Sequence, residues 1–259
     1  MVTPKVISGI ERQNKILDWI NQRYRITIGE VCEHYFVSEA TARRDLEKLA
    51  SAGKVQRVHG GAIALEKAPP EMPMLMRQVD QIAEKQRIGT IGARLVNDGE
   101  TVFLGSGTTV LEVARNLRER QNLTVITNSL PVVNLLSDNL KITIVCVGGL
   151  LRLSEFSFIG HIAEQVLSEI RADKVFIGVR AISIKEGLTN DYLPETLTDR
   201  AILKIGRENI VVADHTKFDR TSTVLLVPIN QIQTLITGVE TPEELIKELS
   251  KINIRVITA

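Results

Sequence analysis

The stretch SEATARRDLEKLASAGKVQRVHGGAIAL, residues 38–65, decides how the first part of this chain folds. Ser38 is a residue type that caps helices, and a helical pattern runs from about 39 to 52 before stopping at Gly53, a natural left-handed terminator. At about 100° per residue, Ala42, Leu46, Leu49 and Ala50 share one face and point into a core. Ala40, Thr41, Arg44 and Lys48 lie roughly opposite, with Arg43 on the flank. The run VQRVH then alternates as a strand, Gly60 and Gly61 supply a turn, and residues 62–65 return. The result is a β-hairpin directly after the helix, with Arg57 and His59 near its tip.

A helix face of small residues, one hydroxyl and cations suits a major groove. Small side chains allow close approach, Arg takes guanine O6 and N7 as a bidentate pair, and both cation types neutralise phosphates. A solvated cationic face is the alternative reading of the helix alone; a hairpin placed to meet phosphate or minor groove favours DNA. Upstream, Ile16, Leu17 and Ile20 form an apolar stripe, and Thr27 caps a second helix in which Ile28, Val31, Cys32 and Tyr35 repeat at helical spacing. A tight turn at Phe36 and Val37 follows. The expectation is a winged helix-turn-helix over residues 1–65. Its candidate DNA-binding residues are Thr27, Ser38, Thr41, Arg43, Arg44, Lys48, Arg57 and His59. Asp45, beside two arginines, is expected to orient a guanidinium.

The chain changes character near residue 66, where EKAPPEMPM (66–74) carries three prolines and reads as a linker, assigned to 66–76. Beyond it, short Val- and Ile-rich runs alternate with helical patterns. Strands are expected at 101–104, 124–127, 142–147, 174–179, 210–213, 224–227, 234–237 and 255–257. Helices are expected at 83–95, 110–120, 130–136, 162–170, 197–207 and 242–249. This alternation predicts an α/β fold over 77–259: a Rossmann-like, mostly parallel sheet, preceded by the small winged helix-turn-helix.

Within it, TVFLGSGTT (101–109) is a strand, a Gly-Ser-Gly turn and two hydroxyls opening a helix. Free N–H groups at a helix start, at the positive end of its dipole, form an anion site. Gly105 and Gly107 let the backbone approach, and Ser106, Thr108 and Thr109 offer hydroxyls. Tight βα turns also use Gly for shape alone, so the motif by itself leaves both readings open.

Thr41, Arg43, Arg44, Asp45, Leu46, Leu49, Gly53, Arg57, His59, Gly60, Gly61 and Ala62 stand in register with a T-x-R-R-D-L … L … G … R-x-H-G-G-A pattern. That pattern resembles the signature of the DeoR family of bacterial regulators. The larger region also resembles that family's sensor domain, a relative of ribose-5-phosphate isomerase. The matching stretches are residues 105–109, Thr127 with Asn128, Val147 to Gly149 with Arg152 and Gly160, Phe176 to Gly178, and 213–218. The resemblance implies a transcription regulator controlled by a phosphorylated sugar or related metabolite. On it, Gly105, Ser106, Gly107, Thr108 and Thr109 hold phosphate, Lys217 adds charge, and Asn128, Arg152 and Asp191 contact hydroxyls or phosphate. One departure stands out. Where the family often has an acid after Phe-x-Gly, corresponding to an isomerase carboxylate, this chain has Arg180, which cannot move a proton as that base. Arg180 instead offers a fixed cation, for a second acidic group on the effector or for Asp191 or Glu195.

The remaining composition narrows the class. Hydrophobic residues make up 44% and charged residues 24%, an ordinary globular balance. The net charge of +1 places the burden of DNA binding on local Lys and Arg. No apolar run is long enough to span a membrane, the first residues lack a signal peptide's core, and a cytoplasmic location is expected. Cys32 and Cys146, among aliphatic neighbours, are expected in the core, and no metal or other cofactor is expected. The expected partners are double-stranded DNA, a phosphorylated small-molecule effector and further copies of this chain, in a homodimer or higher oligomer. Two other readings compete: a sugar-phosphate isomerase-like enzyme carrying a DNA-binding domain, and a constitutive DNA binder whose α/β region only dimerises.

Overall fold

The computed structural model describes residues 8–23, 25–52, 54–58, 60–64 and 72–259. The chain divides into two compact units, Met1–Lys67 and Ala68–Ala259. Gly53, His59 and most of the Pro-rich stretch lie outside the described residues.

The first unit runs α1 (Gly9–Arg23), β1 (Arg25–Thr27), α2 (Ile28–Tyr35), α3 (Glu39–Ser51), β2 (Val55–Val58) and β3 (Gly61–Ala64). Helical spacing turns Ile16 and Ile20 of α1, Val31 of α2, and Ala42, Leu46 and Leu49 of α3 inward. They close on Ile26, Ile28, Val55 and Ala62. Both expected caps form. Thr27 and Glu30 make a reciprocal capping box, with Glu30 N–H donating to Thr27 Oγ1 (3.2 Å) and Thr27 N–H to Glu30 Oε2 (2.7 Å). Ser38 Oγ accepts the Thr41 N–H at 3.3 Å. The sequence gives no sign of β1, which spans three residues and pairs antiparallel with β3, so that the hairpin becomes a sheet of order β1-β3-β2. Gly61 makes this crossing possible, because a Cβ there would stand 2.0 Å from the Ile26 carbonyl oxygen.

The second unit opens with two helices, α4 (Met74–Arg77) and α5 (Ile82–Arg94). Its central sheet holds seven strands: β4 (Thr101–Leu104), β5 (Leu123–Thr127), β6 (Ile142–Cys146), β9 (Ala172–Ile177), β12 (Gly206–Val212), β14 (Thr234–Thr237) and β15 (Arg255–Thr258). Their order is β15-β14-β12-β9-β4-β5-β6, and every pairing is parallel. Alternation along the strands feeds two cores, one on each face. Phe103, Val175, Ile177, Val211 and Leu235 enter the first, and Val102, Leu104, Phe176, Ile210, Val212 and Ile236 enter the second. Covering helices are α6 (Thr108–Leu117), α7 (Leu130–Leu136), α8 (His161–Glu169), α9 (Leu193–Ile205) and α10 (Glu243–Lys251). Helix α5 packs so tightly on α6 that a Cβ at Gly89 would stand 2.6 Å from the Glu112 carbonyl.

Several sequence expectations need correction. Residues 224–227 form β13 (Val224–Val227), but in a separate antiparallel sheet with β10 (Ala181–Ser183) and β11 (Gly187–Asn190), not in the parallel one. The hairpin of β7 (Leu150–Arg152) and β8 (Ser157–Ile159) has strands too short for a periodic signal. The helix expected at 197–207 begins at Leu193, with Pro194 suited to its first turn, and ends at Ile205, where β12 begins. The helix expected at 110–120 is α6, which starts two residues earlier and stops at Leu117. Cys146 ends β6 at the sheet's edge and is exposed, and Cys32 is only half-buried.

The strand order reverses between β4 and β9. To one side lie β5 and β6, and to the other β12, β14 and β15. In such sheets the crevice beyond the strands' carboxyl ends, at the reversal, is the ligand position.

Candidate functional site

On α3, Ala40, Arg44 and Lys48 are exposed and Thr41 is half-buried, while Ala42, Leu46 and Leu49 are buried. Arg43 is exposed and folds back on the same helix, its Nε donating to Glu39 Oε1 at 3.1 Å. Thr41 and Ser38 hydroxyls lie 3.0 Å apart at the helix start, and the Thr27 hydroxyl is engaged in the α2 capping box. Arg57 is half-buried and braces the hairpin turn, donating from Nη1 to the Gly61 carbonyl at 2.6 Å. His59, the other wing candidate, lies outside the described residues.

Asp45 corrects the sequence reading. Its carboxylate is buried and accepts from Arg12 Nε (2.6 Å) and Gln13 Nε2 (2.7 Å), both on α1. It does orient a guanidinium, but that of Arg12 rather than of the adjacent Arg43 or Arg44. Outside this unit's core, Trp19, His34 and Tyr35 form an aromatic cluster with Arg23 stacked 5.3 Å from the Trp19 ring centre.

In the second unit, a cleft of about 570 Å³, counted with its open mouth, lies at the strand-order reversal. The turn after β4 gives it Ser106, Gly107, Thr108 and Thr109; the end of β9 gives Gly178, Val179 and Arg180. The end of β12 gives Val212, Ala213 and Lys217, and the β11–α9 region gives Asn190, Asp191, Glu195 and Asp199. Arg77 of α4 and Glu155 of the β7–β8 turn complete the wall.

Gly107 caps α6 with φ 105° and ψ 157°, a backbone that favours glycine, and no side chain caps the helix. The first N–H groups of α6 therefore lack an acceptor from a capping side chain, and Gly107, Thr108 and Thr109 at that helix start line the cleft. Lys217 lines the same cleft, and the turn that carries it is capped by Asp214. That carboxylate is buried and caps the short turn His215–Lys217, accepting the Thr216 N–H at 3.0 Å. Burial pushes its pKa up, but the Lys217 cation, the Thr216 hydroxyl and the Lys85 cation together hold it below the usual carboxylate value. Behind it, burial lowers the pKa of Lys85, which donates to the Arg77 carbonyl at 3.0 Å. Glu84 fixes His215, accepting its N–H (2.8 Å) and lying 2.7 Å from its Nδ1.

Seven of the residues singled out from sequence, Ser106, Gly107, Thr108, Thr109, Arg180, Asp191 and Lys217, meet on this wall. Gly105, Asn128 and Arg152 do not line it. Gly105 is a buried turn residue whose N–H reaches the Phe176 carbonyl (2.9 Å). Asn128 is buried and donates to the Phe158 carbonyl (3.2 Å), holding the β7–β8 hairpin. Arg152 pairs with Glu195 and stacks 4.4 Å from the Tyr192 ring centre, so it secures a wall residue from behind. The sequence reading named Glu195 only as a possible partner of Arg180, and it missed Arg77, Glu155, Asn190 and Asp199 as wall residues. Asn190, at the end of β11, ties the segment after β9 to α9: its Oδ1 accepts the Arg180 N–H (3.1 Å) and its Nδ2 donates to Asp199 (3.0 Å).

Chemically, the wall combines hydroxyls, the start of α6 and the Lys217, Arg77 and Arg180 cations, which suit an anion, with four carboxylates and an amide, which suit hydroxyl groups.

Comparison with known proteins separates the same two parts of the chain. Residues 12–68 match the DeoR-like helix-turn-helix domain, and residues 80–239 match the DeoR C terminal sensor domain. The chain is 36% identical to the transcriptional repressor AccR of Agrobacterium fabrum, over 92% of this chain and 93% of that protein. It is 32% identical to the glycerol-3-phosphate regulon repressor of Escherichia coli, over 93% of this chain and 95% of that one. Among solved structures, ribose 5-phosphate isomerase A of Methanocaldococcus jannaschii aligns at 19% identity with a TM-score of 0.38, covering 52% of this chain and 53% of that one. That likeness is too low to bear on the chemistry.

Proposed function

The chain belongs to the DeoR family of DNA-binding transcription regulators, and we propose that it is a repressor controlled by a phosphorylated sugar or closely related metabolite held in the cleft beyond β4, β9 and β12. One observation carries the ligand class: the side-chain-uncapped start of α6 and the cation of Lys217 border the same cleft. A phosphate bound there accepts helix N–H groups along the dipole and hydroxyls from Ser106, Thr108 and Thr109. The sugar hydroxyls then reach Asn190, Asp191 and Asp199, and Arg180 serves a second acidic group.

On the DNA side, Arg44 reads a base edge, Lys48 and Thr41 contact backbone, and Arg43, Arg57 and His59 flank them. Ser38 and Thr27 act mainly as caps that set the two helices. One such module buries little surface, so the protein acts as a homodimer or higher oligomer on repeated half-sites. Among the described residues no helix is long and apolar enough to cross a membrane, and we place the protein in the cytoplasm.

The isomerase-like alternative is disfavoured by Arg180, which stands where the resemblance expects a carboxylate. Two of the wall's four carboxylates, Glu155 and Glu195, are also engaged by Arg77 and Arg152. The test is a thermal-shift panel of sugar phosphates on the full chain. Stabilisation of the wild type that Ser106→Ala reduces supports the reading, since a native-state ligand must raise the melting temperature. No shift across the panel overturns it, and ketose–aldose turnover above buffer background revives the enzyme.

A further inference from the structure

We infer that Arg77, with Glu155, is the clasp through which occupancy of the cleft is communicated to the chain leading to the DNA-binding unit; this rests on the cleft being the effector site.

Arg77 occupies an unusual position in the chain. It stands only four residues after Pro73, at the end of the first helical turn beyond the Pro-rich stretch, yet its side chain lines the cleft. That turn is pinned at its start, because Met74 is fully buried and its N–H donates to the Ser154 carbonyl at 2.8 Å. It is pinned at its end by Lys85, which donates to the Arg77 carbonyl. Between these anchors the Arg77 guanidinium holds two acceptors at once. Nε donates to the Met72 carbonyl at 2.7 Å, and Nη2 pairs with Glu155. The pair is largely desolvated, with side chains 12% and 6% exposed.

A guanidinium is planar and rigid, so its donors move together. An anion in the cleft competes with Glu155 for Arg77. Turning the plane toward the ligand also strains or breaks the bond to Met72, which lies within the Pro-rich stretch. Because the pair is removed from water, its attraction is poorly screened and responds strongly to a new charge nearby. Ligand binding and the anchoring of residues 72–77 are therefore linked, and linkage is reciprocal: whatever DNA does to that anchoring alters affinity for the ligand.

The test uses the full chain with inorganic phosphate, ribose 5-phosphate and glycerol 3-phosphate as probes, and an operator fragment selected from random-sequence DNA. For a probe that binds, saturating amounts should change the operator affinity of the wild type several-fold. Arg77→Gln should bind the probe more weakly and show no such change, even at saturation. Ser106→Ala should also bind it weakly but keep the full change at saturation. Glu155→Gln, which keeps the packing and removes the competing charge, should bind the probe several-fold more tightly than the wild type; it serves as the decisive variant if Arg77→Gln does not fold. A wild-type response in Arg77→Gln, or unaltered or weaker binding in Glu155→Gln, overturns the clasp and leaves the effector site standing. Binding that survives in Ser106→Ala and Arg77→Gln alike, or no binding by the wild type, removes both.

Discussion

The carboxylate of Asp45 reaches across from the third helix to Arg12 of the first, accepting from Nε at 2.6 Å while Gln13 donates to its other oxygen at 2.7 Å. The pair joins the helix that presents Arg44 to the helix that supports it, and both side chains are largely withdrawn from solvent.

Asp45→Ala is therefore expected to destabilise the first unit by about 2–3 kcal/mol, near the lower limit for breaking a buried pair because Arg12 keeps some access to water. Asp45→Asn retains one acceptor and should lose less. Denaturant unfolding of the full chain, followed through Trp19, measures both. Equal stability of wild type and Asp45→Ala would show that the pair contributes nothing.

Phe36 gives an expectation of opposite sign. It closes α2 in the left-handed region (φ 53°, ψ 45°) and is 80% exposed. The left-handed backbone costs a residue with a Cβ about 1–2 kcal/mol. Glycine removes that penalty but adds about 0.5–1 kcal/mol of unfolded-state entropy. Phe36→Gly should thus stabilise the unit by about 0.5 kcal/mol, the small difference between the two. A drop in stability would reveal that the exposed ring has a packing partner.

Asp214 sets a pH dependence. Its carboxyl is held below the usual value in the folded protein despite burial, through Lys217, Thr216 and Lys85. A folded pKa below the unfolded one means that the unfolded chain binds more protons in that interval. The stabilisation is complete above the unfolded value of 3.8 and is lost as pH falls through the folded one. Asp214→Asn lacks this contribution. The difference in melting temperature between wild type and Asp214→Asn should accordingly be largest near neutrality and shrink from about pH 5 downward. A difference that stays constant with pH would show that the carboxyl titrates normally.

These residues also mark what was legible in the sequence. Ser106 to Thr109, Arg180 and Lys217 follow the ends of β4, β9 and β12, strands that announce themselves as Val- and Ile-rich runs. Any parallel sheet gathers such positions at one edge, so their meeting could be foreseen. Glu155 lies between strands of three residues, too short to show a period, and Asn190 ends β11, whose sequence GLTN has no apolar run. Their place depends on long-range pairing. Arg77 follows a run of prolines, and nothing local connects it to the cleft. Asp45 is different: helical spacing from Ala42 and Leu49 places it at the edge of the buried face. That placement carries it toward α1 and away from its sequence neighbours Arg43 and Arg44.

The proposed reading gives the exposed face of α3 two kinds of DNA contact, and the two should respond differently. Arg44 is solvent-exposed near the middle of the helix. If its fork takes a guanine edge, Arg44→Ala costs about 1–3 kcal/mol on the preferred operator and relaxes selection at one base pair. Lys48, one turn later on the same face, is a flexible point charge suited to phosphate. Lys48→Ala should weaken all sequences alike and lower the slope of log affinity against log salt by about 1 per module. Titrations of a selected operator and its single-base variants at several salt concentrations separate the two effects. Uniform loss with an altered slope for Arg44→Ala would move Arg44 to the backbone, and an unchanged operator affinity would remove α3 as the reading helix.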